Sequence, residues 1–224
     1  MTLTIISQGV CTVSKEDSPT RKRILTEALA LFSVKGYEPV TVAAIAEAVG
    51  IKAPSLYKHY KSKRDIFDAI LEEKKARYQK QAASMQMNGV DAGKDKLLFA
   101  GISEESLADM SKSLFLYFLH DDFMCKFRRM LTVEQFKSSE LAALYTKQYV
   151  DEPIAYQSML FALLAGTNTL IPENAEVMAL QFYAPVFLLL TLCDRHPERE
   201  GEALQRIEQH VRQFARLYGR EGQS

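Results

Sequence analysis

Apolar residues recur at helical spacing through most of the chain, and the first such segments are short and closely spaced. A helix is predicted from Thr20 to Lys35, since Gly36 supplies a C-terminal stop. Its apolar stripe comprises Ile24, Leu25, Ala28, Leu29, Leu31 and Phe32. Thr41 is a favourable N-cap for a second, shorter helix that Gly50 ends. The inner face of that helix comprises Val42, Ile45, Ala46 and Val49.

The next segment, KAPSLYKHYKSKRD, predicts a third short helix and the start of a fourth. The third helix begins near Lys52 and does not extend past Tyr60. Lys52 is a poor N-cap and adds positive charge at the positive end of a helix dipole, so either another group caps this turn or the helix begins at Ala53. Ser62 and Asp65 form a capping box that opens the fourth helix. Its apolar positions are Ile66, Phe67, Ile70, Leu71 and Tyr78.

Helical periodicity resumes after a predicted loop at residues 89–101. Four helices are predicted there: Glu104–His120, Asp122–Phe136, Ser139–Val150 and Pro153–Gly166. The segment 174–193 is apolar nearly all round. Val177, Leu180, Ala184 and Leu188 share one side of it, and Met178, Phe182, Pro185 and Leu189 share another. Such a helix must be covered on two faces, by its own domain and by something else.

The last predicted helix, about 198–218, has its apolar residues at the alternating three- and four-residue steps of a helix-packing seam. With the helix before it, it is predicted to form a four-helix dimer interface with a second copy of the chain. The interface residues are Phe182, Pro185, Val186, Leu189, Ile207, His210, Val211 and Phe214. The alternative is that both helices complete an intramolecular core.

These segments together predict an all-α protein, because only the short opening run has strict alternation with β-branched residues. Residues 1–19 lack a helical period and are predicted to be an N-terminal arm or leader. Residues 20–67 are predicted to form a three-helix helix-turn-helix domain. Residues 68–220 are predicted to form a C-terminal helical bundle with the dimer interface.

Charge is unevenly distributed, although 28 Lys and Arg balance 28 Asp and Glu. Residues 20–80 contain 13 basic and 7 acidic side chains, whereas residues 81–224 contain 14 and 19. This asymmetry is expected when one domain contacts a polyanion and the other does not, although chance could also produce it.

Other features exclude several classes of protein. Cys11, Cys125 and Cys193 occur in no CxxC or Cys/His spacing, so neither a disulfide framework nor a metal site is predicted, and no cofactor is expected. The first ten residues carry no positive segment, and no apolar run approaches the roughly 18 residues of a membrane span. We therefore predict a cytoplasmic protein that does not contact a membrane.

The third helix separates its side chains onto distinct faces. At about 100° per residue, an inward face is formed by Ala53, Leu56 and Tyr60. The outward face is formed by Pro54, Ser55 and Lys58. Tyr57 and His59 flank the outward face on its two sides. Two short helices joined by a tight glycine turn are typical of a helix-turn-helix, whose second helix enters the DNA major groove.

The outward residues have the chemistry that DNA contact requires. Ser55 is small and lets the helix N-terminus approach base edges, and Lys58 can donate to a guanine acceptor or a phosphate. Tyr57 and His59 are placed to reach the sugar-phosphate backbone. Lys63 lies at the start of the fourth helix, where backbone N–H groups favour a phosphate. Each residue alone is commoner as a solvated surface residue, and it is the joint pattern that indicates function.

The run TVAAIAEAVGIKAPSLYKHYKSK resembles the N-terminal signature of the TetR family of bacterial transcriptional regulators, and the resemblance covers about residues 20–67. It implies a homodimer with an N-terminal DNA-binding domain and a divergent C-terminal domain, residues 68–220, for ligand binding and dimerisation. By matching position, Leu56 and Tyr60 would pack inside the motif. The predicted DNA-binding residues are Thr41, Lys52, Ala53, Pro54, Ser55, Tyr57, Lys58, His59 and Lys63.

The function predicted from this resemblance is a homodimeric repressor that binds a palindromic double-stranded DNA operator and is released by a small-molecule effector. The C-terminal region is dense in aromatic residues and methionine, which suit a pocket between helices. The candidate lining residues are Phe115, Phe118, Met124, Phe127, Tyr156, Met159 and Asn168. Ligand-independent regulation, or a ligand that promotes DNA binding, is equally compatible with the sequence.

Two other classes of function remain as alternatives. If the protein were an enzyme, the best candidates for catalytic residues would be His120 with Asp121 and Asp122, or His196 with Glu198. No nucleophile–base pair or i, i+4 ligand pair occurs there, so no catalytic residue is predicted. A helical adaptor could use the basic domain for a protein or membrane surface. Its binding would persist at high salt, whereas binding to phosphates weakens steeply.

Overall fold

The computed structural model describes residues 18–220. Residues 1–17, and with them most of the predicted N-terminal arm, lie outside the described residues. An isolated antiparallel bridge joins Leu170 to Gly219, but no β-strand occurs between residues 18 and 220. The prediction of an all-α fold is confirmed.

The helices follow one another with short connections. They are α1 (Pro19–Lys35), α2 (Val42–Val49), α3 (Ala53–Leu56), α4 (Lys63–Ser84), α5 (Ala92–Ala100), α6 (Glu104–His120), α7 (Asp122–Glu134), α8 (Ser139–Thr146), α9 (Glu152–Gly166), α10 (Ala175–Cys193) and α11 (Glu200–Tyr218). A π-helical turn, Lys147–Asp151, joins α8 to α9, and a 3₁₀ turn, Pro197–Arg199, precedes α11. The chain divides into two compact units, Met1–Ile70 and Leu71–Ser224.

Capping groups explain where the early helices begin and end. The Ser18 hydroxyl accepts from the Arg21 N–H at 3.1 Å, so α1 begins at Pro19, one residue before the predicted start. The Thr41 hydroxyl accepts from the Ala44 N–H at 3.1 Å, as the predicted N-cap requires. Gly50 ends α2 with a φ of 74°, in the left-handed region that glycine adopts without a steric cost.

The prediction of a loop over residues 89–101 is wrong, because helix α5 occupies most of it. The Asp91 carboxylate caps this helix by accepting from the N–H groups of Gly93 and Lys94. Asp95, in its first turn, is buried and accepts from the N–H groups of Asn88 and Gly89 at 2.6 and 2.8 Å. These bonds hold the connection that precedes α5 against the helix itself.

The first unit has a compact core built from all four of its helical segments. Tyr37 lies between Phe32 and Phe67, with edge-on ring contacts at 5.1 and 5.0 Å. The buried side chains around it are Ile24, Ala28, Leu29, Phe32, Val40, Ile45, Ala46, Val49, Leu56, Tyr60, Ile66, Phe67 and Ile70. The core thus extends to α3 through Leu56 and Tyr60.

Helix α10 is central to the second unit, where it packs on α9 and α11, while α6 also packs on α11. One part of the core comprises Ala92, Leu160, Phe161, Leu164, Leu170, Met178, Ala179 and Phe214. The other comprises Ala108, Phe115, Leu189, Leu190, Cys193, Ala203, Ile207 and Val211. The buried side chains of α10 and α11 therefore pack within their own chain.

The predicted two-sided character of residues 174–193 agrees with the structure. Met178 and Leu189 are buried, whereas Val177, Leu180, Ala184 and Leu188 on the other side are exposed. The expectation that no apolar run approaches membrane length is wrong, since α10 is long and apolar enough to cross a membrane. A core helix passes the same test, so a single such helix is weak evidence for a membrane segment.

Four of the predicted dimer-interface residues are instead part of the core of their own chain. These are Leu189, Ile207, Val211 and Phe214, all buried. Phe182, Pro185, Val186 and His210 are half-buried. The reason is that the apolar seam of α11 faces α6 and α10, so the row that remains uncovered on α10 is the opposite one.

A buried ion pair joins α7 to the end of α10. The Arg128 side chain is 2% exposed, and its Nε and Nη2 atoms donate to the two Asp194 oxygens at 2.6 and 2.5 Å. Its Nη1 atom donates to the Phe118 carbonyl at 2.8 Å. The guanidinium therefore has a carboxylate and a carbonyl as direct partners, which offsets the cost of removing it from water.

We expect Asp194→Ala to destabilise the protein by about 3 kcal/mol, because it leaves the Arg128 charge buried without a carboxylate. The matched control is Asp122→Ala, which removes an exposed carboxylate from Lys126 and costs less than about 1 kcal/mol. Urea unfolding followed by circular dichroism measures both. If both variants lost the same free energy of unfolding, the buried ion pair would stabilise the protein no more than an exposed one.

Candidate functional site

Helix α3 has four residues and depends on two buried side chains for its position. Leu56 and Tyr60 are both buried, as the predicted inward face requires. Ala53, the third predicted inward residue, is half-buried. Lys52 occupies the N-cap position without a side-chain cap bond, so the helix begins at Ala53, one of the two possibilities that the sequence left open.

The segment that follows α3 is a turn and not a further stretch of α-helix. The Lys58 N–H donates to the Ser55 carbonyl at 3.3 Å, and the His59 N–H donates to the Leu56 carbonyl at 2.8 Å. These are i to i−3 bonds, which tighten the chain after Leu56. The angular estimate for residues 57–59 therefore does not strictly apply, although Tyr57, 54% exposed, and Lys58 do face solvent.

The predicted DNA-binding residues lie on one continuous stretch of the first unit, and their exposure differs. The exposed ones are Thr41, Lys52, Pro54, Tyr57 and Lys58. The half-buried ones are Ala53, Ser55, His59 and Lys63. The Thr41 hydroxyl already serves as the α2 cap. The exposed set contains two cations and no acidic side chain, which suits a surface that meets phosphates.

Two arginines of α1 hold α2 and α3 in place, a role that the sequence did not indicate. Arg21 donates to the His59 carbonyl at 2.6 Å and lies over the Tyr60 ring at 4.1 Å. Arg23 donates to the Val49 carbonyl at 2.7 Å. Basic residues in a first helical turn oppose the helix dipole. Their presence there was the available signal that they serve another purpose.

Lys63 is bound within the domain. Its ammonium donates to the carbonyls of Tyr37 and Glu38 at 3.0 and 3.1 Å and lies 4.3 Å from the centre of the Tyr37 ring. The predicted phosphate contact would have to share this ammonium with the two carbonyls. Lys63 thus has a structural role, fixing the α1–α2 connection to the start of α4, that the sequence did not indicate.

The predicted capping box at the start of α4 forms with one difference. The Ser62 hydroxyl accepts from the Asp65 N–H at 3.0 Å, as expected. The Asp65 carboxylate accepts from the N–H of Lys61 at 2.9 Å, one residue before the cap. Both bonds fix the turn between Tyr60 and α4, so the segment after α3 is held at each end.

The predicted pocket residues are not gathered at one place in the second unit. Phe115, Met124 and Phe127 are buried, and Phe118 and Tyr156 are half-buried. The other two residues of the predicted pocket, Met159 and Asn168, disagree with the prediction. Met159 is 58% exposed, whereas Leu160 and Leu164 of the same helix are buried. Asn168 is exposed in the turn after α9, with a φ of 61°. An outward helix face and a chain reversal place these two side chains away from the interior.

Tyr156 has a specific partner in the interior. Its hydroxyl donates to the buried Asp95 carboxylate at 2.6 Å. Burial, and then this hydrogen bond, raise the pKa of Tyr156 above its ordinary value. Tyr156 therefore fastens α9 to α5.

The structure shows no candidate metal site: within residues 18–220 no group of three or more His, Cys, Asp or Glu side chains could hold a metal ion.

Part of the first unit is similar in sequence to known proteins. Residues 24–70 match the model described as "Bacterial regulatory proteins, tetR family". The chain is 44% identical over 48 residues to IcaR of Staphylococcus aureus, the "Biofilm operon icaADBC HTH-type negative transcriptional regulator". This match covers 21% of the chain and 26% of IcaR, so it concerns only a minor part of that relative.

Solved structures match over nearly the whole chain. A putative TetR-family transcriptional regulator from Mesorhizobium loti has a TM-score of 0.65 at 16% identity, over 93% of this chain and 100% of that one. SmeT, the repressor of the Stenotrophomonas maltophilia multidrug efflux pump SmeDEF, has a TM-score of 0.60 at 16% identity, over 94% and 95%. At these identities the likeness shows the fold.

IcaR and the Mesorhizobium loti protein are both named as transcriptional regulators, the class of protein that the resemblance of residues 20–67 led us to expect. The sequence match falls on the helices that carry the predicted DNA-binding residues. Over residues 24–70 the chain is therefore similar to the TetR family of bacterial regulatory proteins, and its fold is that of solved structures named as members of that family.

Proposed function

We propose that the protein is a homodimeric transcriptional repressor, acting in the cytoplasm, that binds a palindromic DNA operator and is released by a small-molecule effector. The observation that carries this proposal is the short helix α3, fixed from behind by Leu56 and Tyr60, with exposed Tyr57 and Lys58 in front of it. The sequence likeness to IcaR, a negative regulator, supports repression as the sign of regulation.

The DNA contacts are proposed at the residues that the sequence indicated. The N-terminus of α3 and the outward side chains of Pro54, Ser55 and Lys58 would face base edges in the major groove. Thr41, Lys52, Ala53, Tyr57 and His59 would contact the sugar-phosphate backbone. The exposure of Lys52 and Lys58, one before α3 and one after it, supports this assignment.

The dimer is proposed to form through the uncovered side of α10 together with the adjoining side of α11. Leu180 and Leu188 lie on that side of α10 and are 52% and 67% exposed. Leu217 lies on α11 and is also exposed. A shallow depression between the two helices is lined by Leu180, Gln181, Ala184, Pro185, His210, Gln213, Phe214, Leu217 and Tyr218. An apolar row of this length supports burial against a second copy.

Release by an effector is proposed because the second unit has an aromatic-rich interior of the kind that accepts small ligands. SmeT, whose fold the chain shares, is known in a complex with triclosan. The effector would bind better to a dimer whose two α3 helices are spaced wrongly for adjacent major grooves, and so would lower operator affinity.

Selection of bound fragments from random DNA is expected to return an inverted repeat, with half-sites one helical turn or a small multiple apart. Lys58→Ala should weaken binding to the selected operator about tenfold and reduce the slope of log K against log salt by about one, if it contacts a phosphate. Lys35→Ala, an exposed lysine at the end of α1, is the control and should change neither. A selected pool without a repeat, or binding unaffected by salt, would contradict the proposal.

Lys63→Met tests the structural contribution of that ammonium separately from a phosphate contact. The variant should destabilise the protein by about 1 to 2 kcal/mol without DNA, because two carbonyls lose a charged donor. Lys61→Met, at an exposed lysine two residues earlier, should change stability by less than about 0.5 kcal/mol. A phosphate contact predicts, in addition, a smaller salt slope for Lys63→Met alone. Unchanged stability of Lys63→Met would contradict the role seen in the structure.

Leu188→Glu tests the dimer. A carboxylate at this exposed position would be buried without a partner in the proposed interface, so the dimer should dissociate at concentrations about a hundredfold higher than for the unaltered protein. Leu97→Glu is the matched control, because Leu97 is 82% exposed on α5. Sedimentation velocity with circular dichroism separates dissociation from unfolding. A monomeric unaltered protein, or a Leu188→Glu variant that remains dimeric, would contradict the proposed interface.

A further inference from the structure

Lys74 of α4 is a half-buried cation that has no carboxylate as a direct partner within residues 18–220. Its ammonium donates to the Oε1 atom of Gln148 at 2.5 Å and lies 5.7 Å from the centre of the Tyr78 ring. Gln148 in turn donates to the Glu152 carboxylate at 3.0 Å, at the surface. Burial lowers the pKa of Lys74 below its ordinary value of 10.5, and the charge of Glu152 offsets this only in part.

The Lys74–Gln148 bond joins two groups of aromatic side chains. On one side, Tyr78 packs on Phe118 with ring centres 6.0 Å apart, and Tyr117 packs on the same ring at 5.4 Å. On the other side, Tyr149 is next to Gln148 in the chain. Its ring contacts those of Tyr145 and Phe187 at 5.3 and 6.0 Å, and the Tyr183 hydroxyl donates to its carbonyl at 3.0 Å.

Two features of this region are unusual for a site that only supports the fold. Gln148 and Tyr149 belong to the π-helical turn Lys147–Asp151, and such turns are frequent at functional sites. The hydroxyl of Tyr117 is buried and has no hydrogen-bond partner in the part of the chain that the structure describes. A buried polar atom of this kind costs free energy unless another group satisfies it.

Comparison with the other buried cation of the same unit shows what Lys74 lacks. Arg128 is paired with both oxygens of Asp194. Lys74 has a neutral amide as its hydrogen-bond partner, although an ammonium carries three donors. Lysine also binds a carboxylate as a point charge without demanding the planar geometry that arginine prefers. Lys74 is therefore suited to receive an anionic group that arrives from outside the chain.

We propose that Lys74 is the anchor for the acidic group of an aromatic carboxylate ligand, whose ring packs among Tyr78, Phe118 and Tyr149. Gln148 holds the ammonium in the unliganded protein and yields to the ligand carboxylate, keeping its own bond to Glu152. This inference rests on the proposed effector-controlled function and assigns the chemical class of the effector. Ligand binding at Lys74 would thus act on α4, which runs from Lys63 to Ser84.

The test uses 2-naphthoate and its neutral counterpart 2-naphthamide as probes, with binding measured by calorimetry on the full chain. The unaltered protein should bind the carboxylate at least about tenfold more tightly than the amide, because only the carboxylate pairs with the ammonium. Lys74→Met should lose this preference. The control Lys75→Met, at the exposed neighbouring lysine, should retain it. No binding of 2-naphthoate at millimolar concentration, no preference, or a preference retained in Lys74→Met would each overturn the proposal.

A measurement without ligand distinguishes a binding role from a structural one. If Lys74 awaits a ligand anion, Lys74→Met removes an incompletely compensated charge, so its melting temperature should rise by about 2 to 4 °C. A purely structural role, in which the bond to Gln148 stabilises the fold, predicts a fall, and a fall would overturn the proposal. The same preparations are assayed for operator binding without any probe. Intact operator binding with failed naphthoate binding would reject this inference and leave the proposed function standing.

Discussion

The burial of Leu56 and Tyr60 is the constraint on which the DNA-facing surface depends. A helix of four residues has no stability of its own, since nucleation alone costs more than one turn returns. Helix α3 exists because its inner side chains complete the core that α1, α2 and α4 form. That packing sets the direction of every outward side chain from Pro54 to Lys58. Loss of the core would therefore remove the whole DNA-facing surface.

Hydrogen bonds from basic side chains to backbone carbonyls hold the same segment at several points. Arg21 binds the carbonyl that follows α3, Arg23 the one that ends α2, and Lys63 two in the α1–α2 connection. The positive charge of residues 20–80 therefore has two uses. Part of it supports the fold from within, and part of it, including Lys52 and Lys58, faces solvent. A count of charges in the sequence overstates the number of cations available to a polyanion.

Local signals allowed much of the first unit to be predicted from sequence. Thr41, Gly50 and Ser62 cap or end helices through atoms of their own or through a backbone conformation, so single residues reveal the boundaries. Helix α5 could not be predicted from helical periodicity, because it is short and lies between two glycines. Its only local signal is the N-cap residue Asp91. The roles of Arg21 and Lys63 could not be predicted either, because their carbonyl partners lie about 25 to 40 positions along the chain, and no rule of local spacing reaches that far.

The interface and pocket residues show a different limit of sequence reasoning. The apolar seam of α11 was recognised, but periodicity states only that a face is covered and not what covers it. Ile207 and Val211 face α6 and α10 of their own chain, which leaves the row through Leu180 and Leu188 uncovered. For the same reason, helical spacing could not separate Phe127, in the core, from Met159, at the surface.

Lysine and arginine inside the second unit illustrate how charge can be assigned to stability or to binding. Arg128 satisfies its guanidinium with a carboxylate and a carbonyl, so nothing further is required of it. Lys74 reaches a carboxylate only through the amide of Gln148, an arrangement that a better-packed apolar residue could replace at a gain in stability. Retaining an ammonium among aromatic rings on these terms is more readily explained by a partner that binds there than by support of the fold.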